Sequence, residues 1–157
     1  MITAEELHAL FINANRTLGS VESFTGGRFA SSMTAIPGAS KFFVGAYVTY
    51  ATWEKIRLLN IKRERVDQFG VVSQEIAGDM AMHGKFLLDS DYCISFTGNA
   101  GPEPMENKPV GLIYIGVSAY NYTQVFQYQL TGSREEIISQ ALGLGYEHLK
   151  KMLGDFK

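Results

Sequence analysis

The sequence predicts an α/β domain of three layers, with helices on both faces of a mixed, mainly parallel sheet that ends in an antiparallel hairpin. Three observations predict it. Amphipathic helical segments with capping residues stand near both ends of the 157-residue chain. Short runs of β-branched and aromatic residues alternate with helical stretches through the middle, which favours parallel crossover units. Two further such runs are separated only by Tyr120-Asn121, and so close a spacing favours a hairpin. The length is that of one domain over 1–157. A chain this long buries roughly 68–70% of its unfolded surface, enough for a core without cross-links.

The elements follow in order. Thr3-Ala4-Glu5-Glu6 has the form of a capping box, and Leu7, Leu10, Phe11, Ala14 and Leu18 behind it make one apolar stripe. Ser20 to Ser23 reads as a short strand ending at a glycine pair. Phe43 to Tyr50 and Tyr92 to Thr97 are strands by their branched and aromatic content. A helix starts at Ser73 and carries Ile76, Ala77, Met80 and Leu87. Val110 to Ala119 and Tyr122 to Leu130 form the hairpin. Ser133-Arg134-Glu135-Glu136 repeats the capping box ahead of Ile138, Leu142, Tyr146 and Leu149. The longest irregular stretch is Gly98 to Pro109, with no repeat or low-complexity tract anywhere.

Composition excludes several classes. Fourteen Lys and Arg against sixteen Asp and Glu give a formal charge of −2, without the basic excess of a nucleic-acid binder. Lys62-Arg63-Glu64-Arg65 reads as a solvated helix face. The one cysteine, Cys93, rules out an internal disulfide and a multi-cysteine zinc site, and its apolar neighbours suggest a buried small hydrophobe. No stretch reaches the ~18–20 apolar residues of a membrane helix. The N-terminus lacks the basic start and apolar core of a signal peptide. A soluble, cytoplasmic protein is the expectation. His8, His83 and His148 lie far apart with no ligand spacing, so no metal is expected and each histidine reads as a surface or boundary residue.

Three turns follow predicted strands, where ligands bind in open α/β sheets. Glu22-Ser23-Phe24-Thr25-Gly26-Gly27 puts a hydroxyl at a strand end, beside backbone amides that open the next helix. Its plainer reading is a strand–helix turn with Ser and Thr as caps. Val48 to Lys55 ends in a lysine that is either solvated or, if desolvated, a general base; the latter needs its pKa to fall from ~10.4 to roughly 7–8. Thr97-Gly98-Asn99-Ala100-Gly101-Pro102 is a loop whose glycines allow close backbone approach to a ligand. Neither GxGxxG nor GxxxxGK[ST] is present, which removes the main support for dinucleotide and P-loop readings.

Seven segments carry a resemblance: ESFTGG at 22–27, PGAS at 37–40, VTYATWEK at 48–55, GVVS at 70–73, TGNAGP at 97–102, KPVG at 108–111 and GSREE at 132–136. In this order and spacing the chain resembles the CinA C-terminal domain family, whose characterised bacterial members are nicotinamide mononucleotide deamidases of the PncC type. The resemblance implies an α/β/α fold similar to anticodon-binding domains. It also implies hydrolysis of a nicotinamide carboxamide to nicotinate mononucleotide and ammonia, in pyridine-nucleotide salvage, with neither metal nor cofactor. A serine–lysine dyad is implied at Ser23 and Lys55. Substrate contacts are implied at Tyr50, Thr97 and Arg134, with the turns at Thr25, Gly26, Gly27, Gly98 and Asn99 around them. Arg134 is the candidate for the phosphate. A small-molecule nucleotide is thus the expected partner, and a homodimer is expected by resemblance only. Full-length two-domain relatives carry a further N-terminal domain linked with pyrophosphatase activity, which is not expected of a chain that starts about 20 residues before ESFTGG.

Three segments of the chain depart from the family. Phe24 stands where a cysteine is common, Trp53 where small polar residues are common, and Glu103-Pro104-Met105-Glu106-Asn107 replaces a loop with an acidic residue and a glycine pair. Trp53 is either an aromatic wall of the pocket or an interface residue. Pro104 prevents the loop from copying a Gly-Gly backbone. Two readings therefore compete with the deamidase: a catalytically inactive or repurposed module that binds a nucleotide or a protein, and an amidase for another carboxamide.

Overall fold

The strand order is the feature that creates a site. In the computed structural model, which describes residues 1–156, five strands lie in the order β2-β1-β3-β4-β5. They are β1 (Leu18–Glu22), β2 (Phe43–Val48), β3 (Tyr92–Gly98), β4 (Leu112–Ala119) and β5 (Tyr122–Gln129). β1 pairs in parallel with both β2 and β3, while β3–β4 and β4–β5 are antiparallel. Only β4 runs against the rest, so the sheet is mainly parallel by strand direction and evenly divided by pairing. The chain leaves β1 toward β2 and then returns past it to β3. Beyond the carboxyl ends of β1 and β3 this reversal opens the crevice where α/β sheets bind ligands.

Among the described residues six α-helices cover the two faces: α1 (Ala4–Ala14), α2 (Arg28–Thr34), α3 (Thr52–Arg57), α4 (Arg63–Phe69), α5 (Gln74–Leu88) and α6 (Arg134–Asp155). Alternation along the central strands feeds two cores. Ile94 and Phe96 join Leu7, Phe11, Phe29, Tyr146 and Leu149 under α1, α2 and α6. Val21 and Cys93, on the opposite face, join Leu59, Ile61, Ile76 and Met80 under α3 to α5. The three layers are those predicted, and Cys93 is fully buried.

Local chemistry sets the helix starts. Thr3 and Glu6 form a complete capping box, as do Ser133 and Glu136, and the Ser73 hydroxyl accepts from the Ile76 amide at 3.2 Å. At the hairpin, Ala119 pairs with Tyr122 and Tyr120 takes φ 55°, a left-handed turn. α5 lies close on the sheet because Gly84 has no side chain: a Cβ there would stand 2.3 Å from Val21 Cγ2 and 2.9 Å from Cys93 Sγ.

One expectation is corrected. His8 is neither at the surface nor at a boundary; it is buried with its ring edge-on to Phe42, at 4.9 Å between centroids. Its place on the inner stripe of α1, one residue after Leu7, draws it into the core. Lys62, Arg63 and Glu64 are exposed as expected, and Arg65 forks onto Asp79 of α5 at 2.6 and 3.1 Å.

Candidate active site

The site begins with Glu22, the last residue of β1. Its side chain is fully buried yet fully partnered: it accepts from the Ser20 and Thr25 hydroxyls, each at 2.9 Å, and from the Phe29 and Ala30 amides at 2.9 and 3.0 Å. One carboxylate therefore ties together the strand, the turn and the first turn of α2, where a negative group also suits the exposed amides. Ser23 is the next residue, fixed on its other side by its backbone N–H, which donates to the Phe96 carbonyl at 3.0 Å. The turn then closes through the Gly26 amide on the Ser23 carbonyl, with Gly26 and Gly27 at φ 59° and 95°. Glycine is the residue for two consecutive left-handed positions.

Lys55 comes from α3 and has no solvent exposure. Its Nζ donates to the Thr49 carbonyl oxygen at 2.6 Å and to Ser23 Oγ at 3.0 Å. Burial pushes its pKa down to about 8, against a smaller upward pull from the Glu106 charge. At a pKa of about 8 a fraction of the amine is neutral at moderate pH, and an amine anchored by one N–H to a carbonyl can then turn its lone pair toward the serine hydroxyl. The two side chains lie on the same side of the crevice and in direct contact.

Ser23 opens into a cleft of about 100 Å³. Tyr50, Thr97, Gly98, Asn99 and Arg134 line it. Arg134, at the start of α6, donates to the Gly101 carbonyl at 2.7 Å and to the Tyr50 hydroxyl at 3.2 Å. Both partners are neutral, and among the described residues no carboxylate pairs with it; the nearby Arg28, by contrast, is bound to Glu135 at 2.7 Å.

Thr25, Gly26 and Gly27 do not line the cleft. The Thr25 hydroxyl is spent on Glu22, and of the three turn amides that of Gly26 is spent on Ser23, which leaves those of Thr25 and Gly27 without a backbone partner. Thr97 gives its hydroxyl to the Val71 carbonyl at 2.7 Å, so only its remaining surface faces the cleft. Asn99 is a loop brace, accepting from the Gly101 amide and donating to the Glu103 carbonyl, each at 2.9 Å.

Residue-by-residue reading missed Glu22, Thr49, Thr52, Val71 and Met105 as site components. Glu22, Thr49, Thr52 and Val71 lie within quoted motifs, but a lone acidic residue, threonine or valine carries no chemical signal of its own. Phe24 is buried, walls the cleft and joins the larger core. Trp53 is 65% exposed and does not line the cleft. In the 103–107 loop, Glu106 and Asn107 take φ 55° and 57°, so two consecutive left-handed residues occur there without glycine. Among the described residues, no cluster of His, Cys, Asp and Glu could hold a metal ion, and no helix is long and apolar enough to cross a membrane.

A five-stranded α/β/α domain with a buried lysine in contact with a strand-end serine is the class that fold and site define. The chain belongs to the CinA family: the profile of the CinA C-terminal domain matches residues 2–153. It is similar to a CinA-like protein of Endomicrobium trichonymphae, at 38% identity over 145 residues, covering 92% of this chain and 34% of that protein. A CinA-like protein of Petrotoga mobilis is also 38% identical, over 86% of this chain and 34% of its own length. The chain thus spans about a third of the length of these curated relatives. Among solved structures, the competence/damage inducible protein CihA from Agrobacterium tumefaciens superposes with a TM-score of 0.90 at 28% identity, covering 96% of this chain and 93% of that one. The CinA superfamily protein from Escherichia coli superposes with a TM-score of 0.90 at 26% identity, covering 96% and 90%.

Proposed function

We propose that this protein is an amidohydrolase that deamidates nicotinamide mononucleotide to nicotinate mononucleotide and ammonia through Ser23 and Lys55. The observation that carries the reading is the 3.0 Å contact between Lys55 Nζ and Ser23 Oγ, made by an amine that burial has brought to a pKa of about 8. A solvated lysine at ~10.4 would be a poor base near neutral pH.

The steps balance on these two side chains. Ser23 Oγ bonds to the carboxamide carbon as its proton passes to Lys55, and negative charge develops on the carbonyl oxygen. Phe24, the next residue, lines the cleft and its amide has no backbone partner, which makes it the donor nearest in sequence to that oxygen; one such donor is typically worth about 10²–10³ in rate. The tetrahedral centre collapses by breaking the C–N bond, Lys55 returns its proton to the departing nitrogen, and ammonia leaves. Water then attacks the ester with Lys55 again as base, releasing the carboxylate. Arg134, charged and without a carboxylate partner, offers a planar pair of donors for the phosphate.

Ammonia release from nicotinamide mononucleotide is the test, comparing the wild type with Ser23→Ala and Lys55→Ala. Both variants are expected to lose at least ~10³-fold in kcat. Turnover that survives in both overturns the dyad. A wild type that binds the mononucleotide without hydrolysing it points instead to a binding module.

A further inference from the structure

The 103–108 loop, where this chain departs from its family, brings one apolar side chain to the cleft. Met105 walls it together with Ser23, Phe24 and Val71. The Met105 backbone pairs with Lys108 as an isolated bridge, in which the Lys108 amide donates to the Met105 carbonyl at 2.9 Å. Glu106 and Asn107 between them take φ 55° and 57°, so the turn is tight and left-handed at both central residues. It is fastened from outside. The two Glu106 oxygens accept from the Val71 and Val72 amides, each at 2.9 Å. Lys108 brings a cation to the same segment: its amine donates to the Phe69 carbonyl at 3.4 Å and to the Val72 carbonyl, and stands 3.7 Å from Glu106 Oε1. The two charges therefore offset each other within the fastening. Upstream, the Glu103 carbonyl accepts from the Asn99 side chain at 2.9 Å. Gly70 makes room at φ 75°, where a Cβ would lie 2.7 Å from Glu106 Oε2.

We infer that Met105 is a specificity-determining residue that packs on the aromatic ring of the substrate, and that Glu106 is the positioning residue that holds it there. This rests on the amidase reading, which puts a carboxamide carbon at Ser23 Oγ and hence the ring that bears it among the neighbours of Ser23. Phe24, Val71 and Met105 are the large apolar side chains of the cleft, and at about 100 Å³ so small a space keeps a bound ring against its walls. Phe24 and Val71 are each 4% exposed and locked by packing. Met105 is 41% exposed on a turn held from both sides, so its unbranched thioether can settle on a ligand while the backbone stays still. Sulfur also favours an aromatic ring over a saturated chain. The class selected is a flat aromatic carboxamide in preference to an aliphatic one.

Calorimetric titration of nicotinamide mononucleotide into Ser23→Ala protein, which on this reading cannot consume it, is the test. Adding Met105→Ala is expected to weaken binding about tenfold. Met105→Leu, close in volume, is expected to stay within about threefold of the parent. Ribose 5-phosphate lacks the ring and is expected to respond equally to parent and Met105→Ala protein. No binding of the mononucleotide by the parent, an unchanged affinity in Met105→Ala, or an equal loss for ribose 5-phosphate overturns the inference. Glu106→Gln alone is expected to weaken mononucleotide binding about threefold and to add nothing in Met105→Ala, because both changes remove one contact. A Glu106→Gln effect of full size in the Met105→Ala protein means that the carboxylate acts on the ligand directly, and its positioning role falls. The two readings fail separately. Ammonia release by a wild type whose affinity ignores Met105 leaves the amidase without the inference, and ring-dependent binding without ammonia leaves the inference without the amidase.

Discussion

A lysine with no exposed surface is a folding cost before it is a catalyst. Lys55 ionises near 10.5 in an unfolded chain and at about 8 in the fold. Below pH 8 both states hold the proton and the fold bears the full penalty, about 3 kcal/mol for a displacement of this size. Between pH 8 and 10.5 the unfolded state binds more protons, so stability rises with pH, and above 10.5 the penalty is gone. Lys55→Met removes the charge while keeping an unbranched chain of similar length. It also leaves the Thr49 carbonyl without its partner, which takes back about 1–2 kcal/mol. The variant is expected to be more stable than the wild type at pH 7 by about 1–2 kcal/mol, with the difference shrinking as pH climbs through 8 to 10.5. Urea unfolding at pH 7 and pH 10 measures both parts; equal or lower stability at pH 7 means that burial is not what sets this amine.

At the scale of elements, the sequence was most legible where local chemistry decides. Both capping boxes, the Ser73 start of α5 and the Tyr120-Asn121 turn stand where residue type alone put them, since each depends on neighbours within four positions. Strand ends were less legible: the Phe43 strand stops at Val48, because Thr49 turns its carbonyl to Lys55. Contacts across layers were not legible at all. Nothing near Glu22 in sequence announces the Phe29 and Ala30 amides as its partners, and nothing near Glu106 announces Val71 and Val72. Gly84 belongs to the same class. Within a helix, Gly→Ala ordinarily stabilises by about 1 kcal/mol. Here the added methyl would meet Val21 and Cys93 at 2.3 and 2.9 Å, and overpacking of that kind costs typically 1–3 kcal/mol. Gly84→Ala is therefore expected to destabilise the protein by about 1–2 kcal/mol in urea, with Val21→Ala in the same chain recovering part of the loss. A Gly84→Ala protein as stable as the wild type would mean that α5 moves off the sheet at no cost.

The whole molecule explains why so few residues suffice for a site. β1 supplies Glu22 and Ser23, β2 leads to Thr49 and Tyr50, β3 ends at Thr97 to Asn99, and the cap of α6 presents Arg134. These segments are distant in sequence, and the reversal of strand order between β2 and β3 is what gathers them. Arg134 then bridges two of the gathered segments, through Gly101 and Tyr50, from a third. A ligand that engages Arg134 while its other end lies at Ser23 must therefore brace the fold as a whole. On the proposed reading that ligand is a mononucleotide, and at 100 times its Kd it adds about 2.7 kcal/mol of stability. For a domain of this size that raises Tm by about 5–10 °C. The corresponding nucleoside, which lacks the phosphate, is expected to give a smaller rise at equal concentration. Arg134→Ala should bring the two ligands to the same small shift while the free protein loses little, since its two bonds are to neutral groups at the rim of the cleft. Thermal unfolding of wild type and variant with each ligand reads all four values. An Arg134→Ala protein that still prefers the phosphorylated ligand places the anion elsewhere, and the assignment of the α6 terminus to the phosphate falls.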